Sequence, residues 1–244
     1  MSLLASFDLS IILPSFNGSA HLPTTLQALK RLLNNLPITS EIIIVDDGST
    51  DAQTTKALAE DHSVRILQNR ENLGKGAAVR KGMLNAHGRI RIFTDVDLPY
   101  SLDDIVQIYK LLSSGEYEVA IGNRNLSESN YLREVPTSRR IGSRIFSFLV
   151  GGILWRSDLD TQCGLKGFQD FVAKDLFSSG KINRFAFDVE LIYIALSRDY
   201  RIRSMPVKLR NWQSSDMNVP YEALRMIFDL IRILLGKMVG DYRQ

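Results

Sequence analysis

Two aspartates one residue apart, Asp95 and Asp97, close the segment Gly88-Arg89-Ile90-Arg91-Ile92-Phe93-Thr94-Asp95-Val96-Asp97-Leu98-Pro99. Ile90, Ile92 and the following Phe93-Thr94 read as a short strand with alternating apolar positions, and Pro99 stops it. Carboxylates at the end of a buried strand are costly unless something positive meets them. A hard divalent cation, Mg²⁺ or Mn²⁺, suits such oxygen ligands and leaves positions open for diphosphate oxygens. The structural alternative is that one aspartate caps the helix starting near Ser101 while the other faces water.

The segments around this pair alternate in type. Leu9–Pro14, Glu41–Val45, Val64–Leu67 and Val119–Gly122 are short apolar runs bounded by turn residues, which predicts buried strands. Between them, Leu22–Leu36, Thr50–Glu60, the stretch from Asn72 to about Asn85, and Leu102–Leu112 carry helical spacing. Continuously apolar strands alternating with helices predict a Rossmann-like, mostly parallel sheet with helices on both faces. Ligands of such sheets bind outside the carboxyl ends of the strands. That edge carries Pro14–Gly18, Asp46–Ser49, Asn72–Gly76, Asp95–Asp97 and Asn123–Arg124, so these turns are expected to line one cleft. Further on, a helix is expected over Arg139–Trp155, a turn over Asp160–Gly167, and a helix from Phe168 to near Ser178. Another helix should begin at Phe185, and Ile202–Val207 reads as a last strand placed at an edge by Pro206. Tyr221–Val239 forms the closing helix.

The chain has 244 residues, enough for a large single domain with a substantial core. A net charge of +3, with no basic run interleaved by aromatics, excludes nucleic acid as the expected partner. The single cysteine, Cys163, excludes an internal disulfide and a cysteine-rich zinc site, and it reads as a packed small residue. His21, His62 and His87 share no metal-ligand spacing and are expected on loops or the surface. Residues 1–7 do not read as a signal peptide, and no window offers the ~20 apolar residues of a membrane span.

Five landmarks occur in one order: Leu13-Pro14-Ser15-Phe16-Asn17, Val45-Asp46-Asp47-Gly48-Ser49, Asn72-Leu73-Gly74-Lys75-Gly76, Asp95-Val96-Asp97 and Gly122-Asn123-Arg124. Together they resemble the inverting glycosyltransferases of family 2, which have the GT-A fold and use nucleotide-sugar donors. Asp160-Thr161-Gln162-Cys163-Gly164-Leu165-Lys166 and Phe185-Ala186-Phe187-Asp188-Val189-Glu190-Leu191 look most like the dolichyl-phosphate β-glucosyltransferases of that family. The resemblance implies transfer of glucose from UDP-glucose to a polyprenyl phosphate, dolichyl or undecaprenyl, with inversion and metal assistance. A different nucleotide sugar (GDP-mannose or UDP-GlcNAc) or a soluble glycan acceptor is the alternative.

The resemblance also implies roles. Asp95 and Asp97 hold the cation, Asp97 the more directly. Pro14, Phe16 and Asn17 complete a uridine pocket to which Asp46 and Asp47 contribute; an Asx-turn from Asp47 to Ser49 is the structural reading of the latter. Lys75 stands at a helix N-terminus that favours anions, where it meets the donor diphosphate or solvent. Arg124, Arg140 and Ser143 match positions that hold the acceptor phosphate. That acceptor is already an anion and needs no general base. Asp188 stands where relatives with hydroxyl acceptors carry a base, so here it should orient an arginine or the glucose hydroxyls, or cap its helix.

A polyprenyl acceptor implies a membrane surface as partner and a peripheral place on the cytoplasmic face. In the closing helix Glu222, Arg225, Asp229 and Arg232 form one narrow polar stripe, and the rest is apolar. It is expected either to pack on the protein or to lie in a lipid interface, where Arg225, Arg232, Lys237 and Arg243 would meet anionic lipid. The apolar residues Ile145, Phe146, Phe148, Leu149, Ile153, Leu154 and Trp155 would suit a prenyl chain or the core. The division expected is a glycosyltransferase domain over 1–215 and an amphipathic helix over 216–244. Two departures from the resembling enzymes stand out: no anchor or span is legible, and Ser215-Asp216 replaces their usual Ser-Lys pair. Trp212 is expected to stack over a substrate ring.

Overall fold

A computed structural model of the chain describes residues 6–51, 64–131, 150, 153–154, 158–210 and 219–242. Its strands are β1 (Phe7–Ser15), β2 (Ser40–Asp46), β3 (Val64–Gln68), β4 (Gly88–Phe93), β5 (Val119–Asn123), β6 (Asn130–Tyr131), β7 (Lys166–Gln169), β8 (Ile202–Pro206) and β9 (Lys208–Leu209). Its helices are α1 (Leu22–Asn34), α2 (Lys75–Asn85), α3 (Leu102–Ser113), α4 (Asp170–Ser179), α5 (Phe187–Ser197) and α6 (Val219–Val239). The expected helix over 50–60 and most of the one over 139–155 lie outside the described residues, as do Arg140, Ser143, Trp212, Ser215 and Asp216.

Seven strands form one sheet in the order β3-β2-β1-β4-β7-β5-β8. Every pairing is parallel except those of β7, which runs antiparallel to both β4 and β5. The segment expected as a plain turn into a helix thus contains a central strand. Four residues with a glycine in the middle carry too little pattern to announce one, and the ladders on either side supply the stabilisation. β8 is an edge strand, as Pro206 predicts, with β3 at the opposite edge, while β6 and β9 form a separate two-stranded ribbon.

The apolar strands are buried on both faces because each face packs a separate helical layer. Ile12, Ile43, Val45 and Phe93 join residues of α2, α4, α5 and α6 in one cluster. Leu9, Ile11, Leu13, Ile42, Ile44 and Ile92 join α1 and α3 in the other. The α3 start is fixed by a capping box in which Ser101 and Asp104 satisfy reciprocal backbone donors. Neither Asp95 nor Asp97 caps that helix, which removes the structural alternative for the pair.

The closing helix divides its faces. Leu230, Ile233 and Gly236 turn inward, while Ile227, Phe228, Ile231, Leu234, Leu235, Met238 and Val239 are exposed. Ile153 and Leu154, offered as prenyl contacts, are buried in the core cluster instead. The helix is tied down by the fully buried Glu190, whose carboxylate accepts from Lys181 N (2.9 Å), Ile182 N (2.8 Å) and Tyr242 Oη (2.8 Å). Replacing Tyr242 with Phe removes one of these donors, and stability should fall by about 1–3 kcal/mol. The urea midpoint measures this, and a midpoint equal to that of wild type would contradict the role given to the tie.

Candidate active site

The loops at the carboxyl ends of β1 and β2 meet through direct contacts. Asp47 N–H donates to Ser15 O (2.8 Å), Asn17 N–H to Ser49 Oγ (2.8 Å), and Thr50 N–H to Asn17 Oδ1 (3.1 Å). Asn17 has φ of 51°, the left-handed turn that asparagine tolerates. This turn leaves Phe16 half exposed at the rim while Pro14 stays buried beneath it.

Asp46 and Asp47 are both buried, with different partners. Ser49 N–H, expected to bond Asp47 in an Asx-turn, donates instead to Asp46 Oδ1 three residues back (3.0 Å). Asp47 instead reaches the next loop: Oδ1 accepts from Asn69 Nδ2 (2.7 Å) and Leu73 N (3.1 Å), and Oδ2 from Gly74 N (2.8 Å). The concavity of backbone N–H groups before α2, read as an anion site, therefore already holds an anion, the Asp47 carboxylate. Ala77 N–H, in the first turn of α2, is taken by Asn183 O (3.0 Å). The glycines of this loop answer a packing demand. Gly74 has φ of 106°, and a Cβ there would lie 2.6 Å from Asn183 O; at Gly76 it would lie 2.7 Å from Phe187 Cβ.

With the backbone of this loop fixed, Lys75 projects from the first position of α2 and its Nζ pairs with Asp95 Oδ1. Burial pulls the Lys75 ammonium down, but Asp95, Asp188 and Asp97 more than offset this and raise its pKa. Asp95 and Asp97 sit on the turn after β4, closed by Leu98 N–H donating to Asp95 O (3.0 Å) and anchored to α1 by Thr25 Oγ1 donating to Val96 O (2.5 Å). Burial raises the Asp97 pKa, and the Asp95 charge raises it further. His21, expected on a loop or the surface, is the N-cap residue of α1.

The carboxylate of Asp95 lies against Gly164, where any Cβ would overlap it. Gly164 N–H donates to Tyr100 Oη (3.1 Å), which fixes this backstop. Two oxygen-bearing acids held apart from the core and open to the cleft are a chemically fitting set for a hard cation. Among the described residues no group of three or more His, Cys, Asp or Glu is placed to hold a metal ion.

Beyond the acids stand two buried ion pairs. Lys166, fully buried, donates from Nζ to Asp188 Oδ1 (2.7 Å) and to the carbonyls of Thr161 and Cys163. Burial still raises the Asp188 pKa, with Lys166 and Lys75 opposing it. Of the roles expected for Asp188, orienting an arginine is replaced by a pair with Lys166, and the helix N-cap is Ala186 instead. Arg124 makes a bidentate pair with Asp160, Nε to Oδ2 at 2.7 Å and one terminal nitrogen to Oδ1 at 2.9 Å. Burial disfavours the Arg124 charge, but Asp160 overrides it and holds the guanidinium pKa well above its usual value. Cys163 is buried, and burial pushes its thiol up to about 11, which agrees with packing and not nucleophilic use. Gly164, Lys166, Tyr100 and Asp160 were not singled out from the sequence. For Asp160, Gly164 and Lys166 the only signal there is membership of the 160–166 motif; Tyr100 carries none.

The family model described as glycosyl transferase family 2 matches residues 10–177. The chain belongs to this family. Among curated relatives, dolichyl-phosphate beta-glucosyltransferases are similar to this glycosyltransferase along nearly its whole length. The protein from Drosophila melanogaster is 35% identical, covering 98% of this chain and 78% of the relative. The one from Homo sapiens is 32% identical, covering 97% and 78%. Among solved structures, glucosyl-3-phosphoglycerate synthase from Mycobacterium tuberculosis in complex with Mn²⁺, UDP and phosphoglyceric acid superposes with a TM-score of 0.68 at 18% identity, covering 95% of this chain and 78% of that one. The same synthase with Mn²⁺ and UDP-glucose gives 0.66 at 17% identity, covering 93% and 78%. The likeness bears out the GT-A architecture.

For this glycosyltransferase, Gly164→Ala tests the backstop. A methyl group there must displace the Asp95 carboxylate, and misplacement on the order of 1 Å can lower turnover by about a hundredfold. Circular dichroism and a donor-turnover assay should report a folded, impaired protein, whereas wild-type turnover would show that Asp95 need not be held there.

Proposed function

We propose that this glycosyltransferase moves glucose from UDP-glucose to dolichyl or another polyprenyl phosphate with inversion at C1. The observation that carries the reading is the kinship with dolichyl-phosphate beta-glucosyltransferases along nearly the whole chain, landmarks included. The uracil ring lies against exposed Phe16 and Asn17 over Pro14. Asp46 faces the nucleoside from the floor, and Asp47 acts by holding the 72–74 loop in place.

Asp95 and Asp97 hold Mg²⁺ or Mn²⁺ together with the donor diphosphate. Bound there, the cation supplies Lewis-acid stabilisation of the charge that grows on the departing nucleotide. Lys75 adds a second positive charge on the same side. Asp188, kept in place by Lys166, orients the glucose hydroxyls. Arg124, Arg140 and Ser143 receive the acceptor phosphate, with the Arg124 guanidinium held in place by its bidentate pair with Asp160. The acceptor oxygen attacks C1 as an anion, so no side chain has to remove a proton.

Attack on a lipid phosphate requires the protein to rest on a bilayer, here the cytoplasmic face. Among the described residues no helix is long and apolar enough to cross one. The outward face of α6 suits the interface, with Phe228 63% and Met238 81% exposed. Arg232 is exposed beside that face, but Lys237 is not available to lipid as expected, since its Nζ donates to Ile153 O (3.2 Å) and lies over the Tyr193 ring.

Asp97→Asn should leave a folded protein whose glucose transfer to dolichyl phosphate falls by about a hundredfold or more, given the several kcal/mol a cation contributes to charge stabilisation. Full activity of this variant, or of wild type in EDTA, would remove the metal assignment. Wild type should float with anionic liposomes, while the triple change Phe228→Ser, Leu235→Ser, Met238→Ser should stay in the soluble fraction. Equal flotation of both would place the lipid contact elsewhere.

A further inference from the structure

Lys75 is set between two demands. Its Nζ pairs with Asp95 Oδ1, and Asp97 and Asp188 act on the same ammonium. Asp188 has its own cation in Lys166, so Lys75 chiefly balances the two rim acids. Its backbone cannot move, being locked by Gly74 N–H on Asp47 and Ala77 N–H on Asn183 O. Its side chain can: Lys75 is 20% and Asp95 30% exposed toward the cleft, and the ammonium rides on a flexible four-carbon stem. The Asp95 carboxylate also lies against Gly164, where an added Cβ would overlap it.

We propose that Lys75 couples cation binding to nucleotide binding, by pairing with Asp95 until a divalent cation claims that carboxylate and by turning then to the donor diphosphate. The inference rests on Asp95 and Asp97 being the cation's ligands and adds what Lys75 does to their affinity. A cation arriving alone must break the Lys75–Asp95 pair and leave an ammonium beside it. A cation arriving with a diphosphate meets no such penalty, because the ammonium gains a new anionic partner. The two ligands therefore bind with positive cooperativity, and the factor by which each strengthens the other is the same. The device limits occupancy of the acids by cation without donor, where it would serve no turnover.

The test is Mn²⁺ binding followed by the loss of the free-ion electron paramagnetic resonance signal, with the UDP affinity measured by calorimetry with and without Mn²⁺. Wild type should bind Mn²⁺ alone weakly and bind UDP more tightly when Mn²⁺ is present. Lys75→Met should bind Mn²⁺ alone more tightly, on the order of tenfold, and show a smaller enhancement of UDP binding by Mn²⁺, the part that remains coming from contact of the cation with the diphosphate. Lys75→Arg, which keeps the charge, should retain the wild-type pattern. Should Lys75→Met not fold, Lys75→Gln carries the same expectation. If the neutral variant binds Mn²⁺ alone no more tightly than wild type and keeps the full enhancement, the coupling is wrong while the acids remain ligands. If Asp97→Asn leaves Mn²⁺ binding unchanged, the ligand assignment falls and the coupling falls with it.

Discussion

Two carboxylates on one short turn repel each other, and burial makes ionising Asp97 harder still. The architecture around them reads as the management of that repulsion. Gly164 leaves room for the Asp95 carboxylate against its backbone, Thr25 pins the turn to α1, and Lys75 supplies the first countercharge. Thr25 comes from the helix after β1, Lys75 from the helix after β3 and Gly164 from the segment before β7, so the setting of the pair draws on β1, β3, β4 and β7 together. The cleft at the strands' carboxyl ends is where these connections must converge.

Anion–cation pairing continues behind the rim. Lys166–Asp188 and Arg124–Asp160 are both largely removed from water, and such pairs seldom add net stability compared with apolar packing. Their use is geometric. Lys166 joins the 160–163 turn to the start of α5, and Arg124 joins the end of β5 to that turn through Asp160. The loops that must face donor and acceptor are thereby referred to one another and not left to solvent.

Much of this was legible in the residues. Continuous apolar runs such as Glu41–Val45 announce strands covered on both faces, and Pro206 announces an edge. The Asp95-Val96-Asp97 pair stands out because two acids at a buried strand's end need a partner. What stayed hidden has a common cause: it depends on contacts across long separations in the chain. The glycines of Asn72–Gly76 look like a phosphate cradle, but their neighbours are Asn183 and Phe187, and the cradle is filled by Asp47. Lys166 looks like any surface lysine, since nothing local says that three acceptors surround it. β7 is too short to carry a periodicity, and its two flanking ladders come from far earlier in the chain. The outward face of α6 was visible as an apolar surplus, but which cations shared it was not, and Lys237 turned inward.

The central claim is that the rim acids and a cation together receive the donor diphosphate while Lys75 changes partner. The most direct measurement is an anomalous difference map from crystals grown with Mn²⁺ and UDP. The account predicts one Mn²⁺ peak within coordination distance of Asp95 or Asp97 and of diphosphate oxygens, with Lys75 Nζ moved off Asp95 toward the diphosphate. A Mn²⁺ peak away from both acids, or a diphosphate bound while Lys75 remains on Asp95, would contradict it.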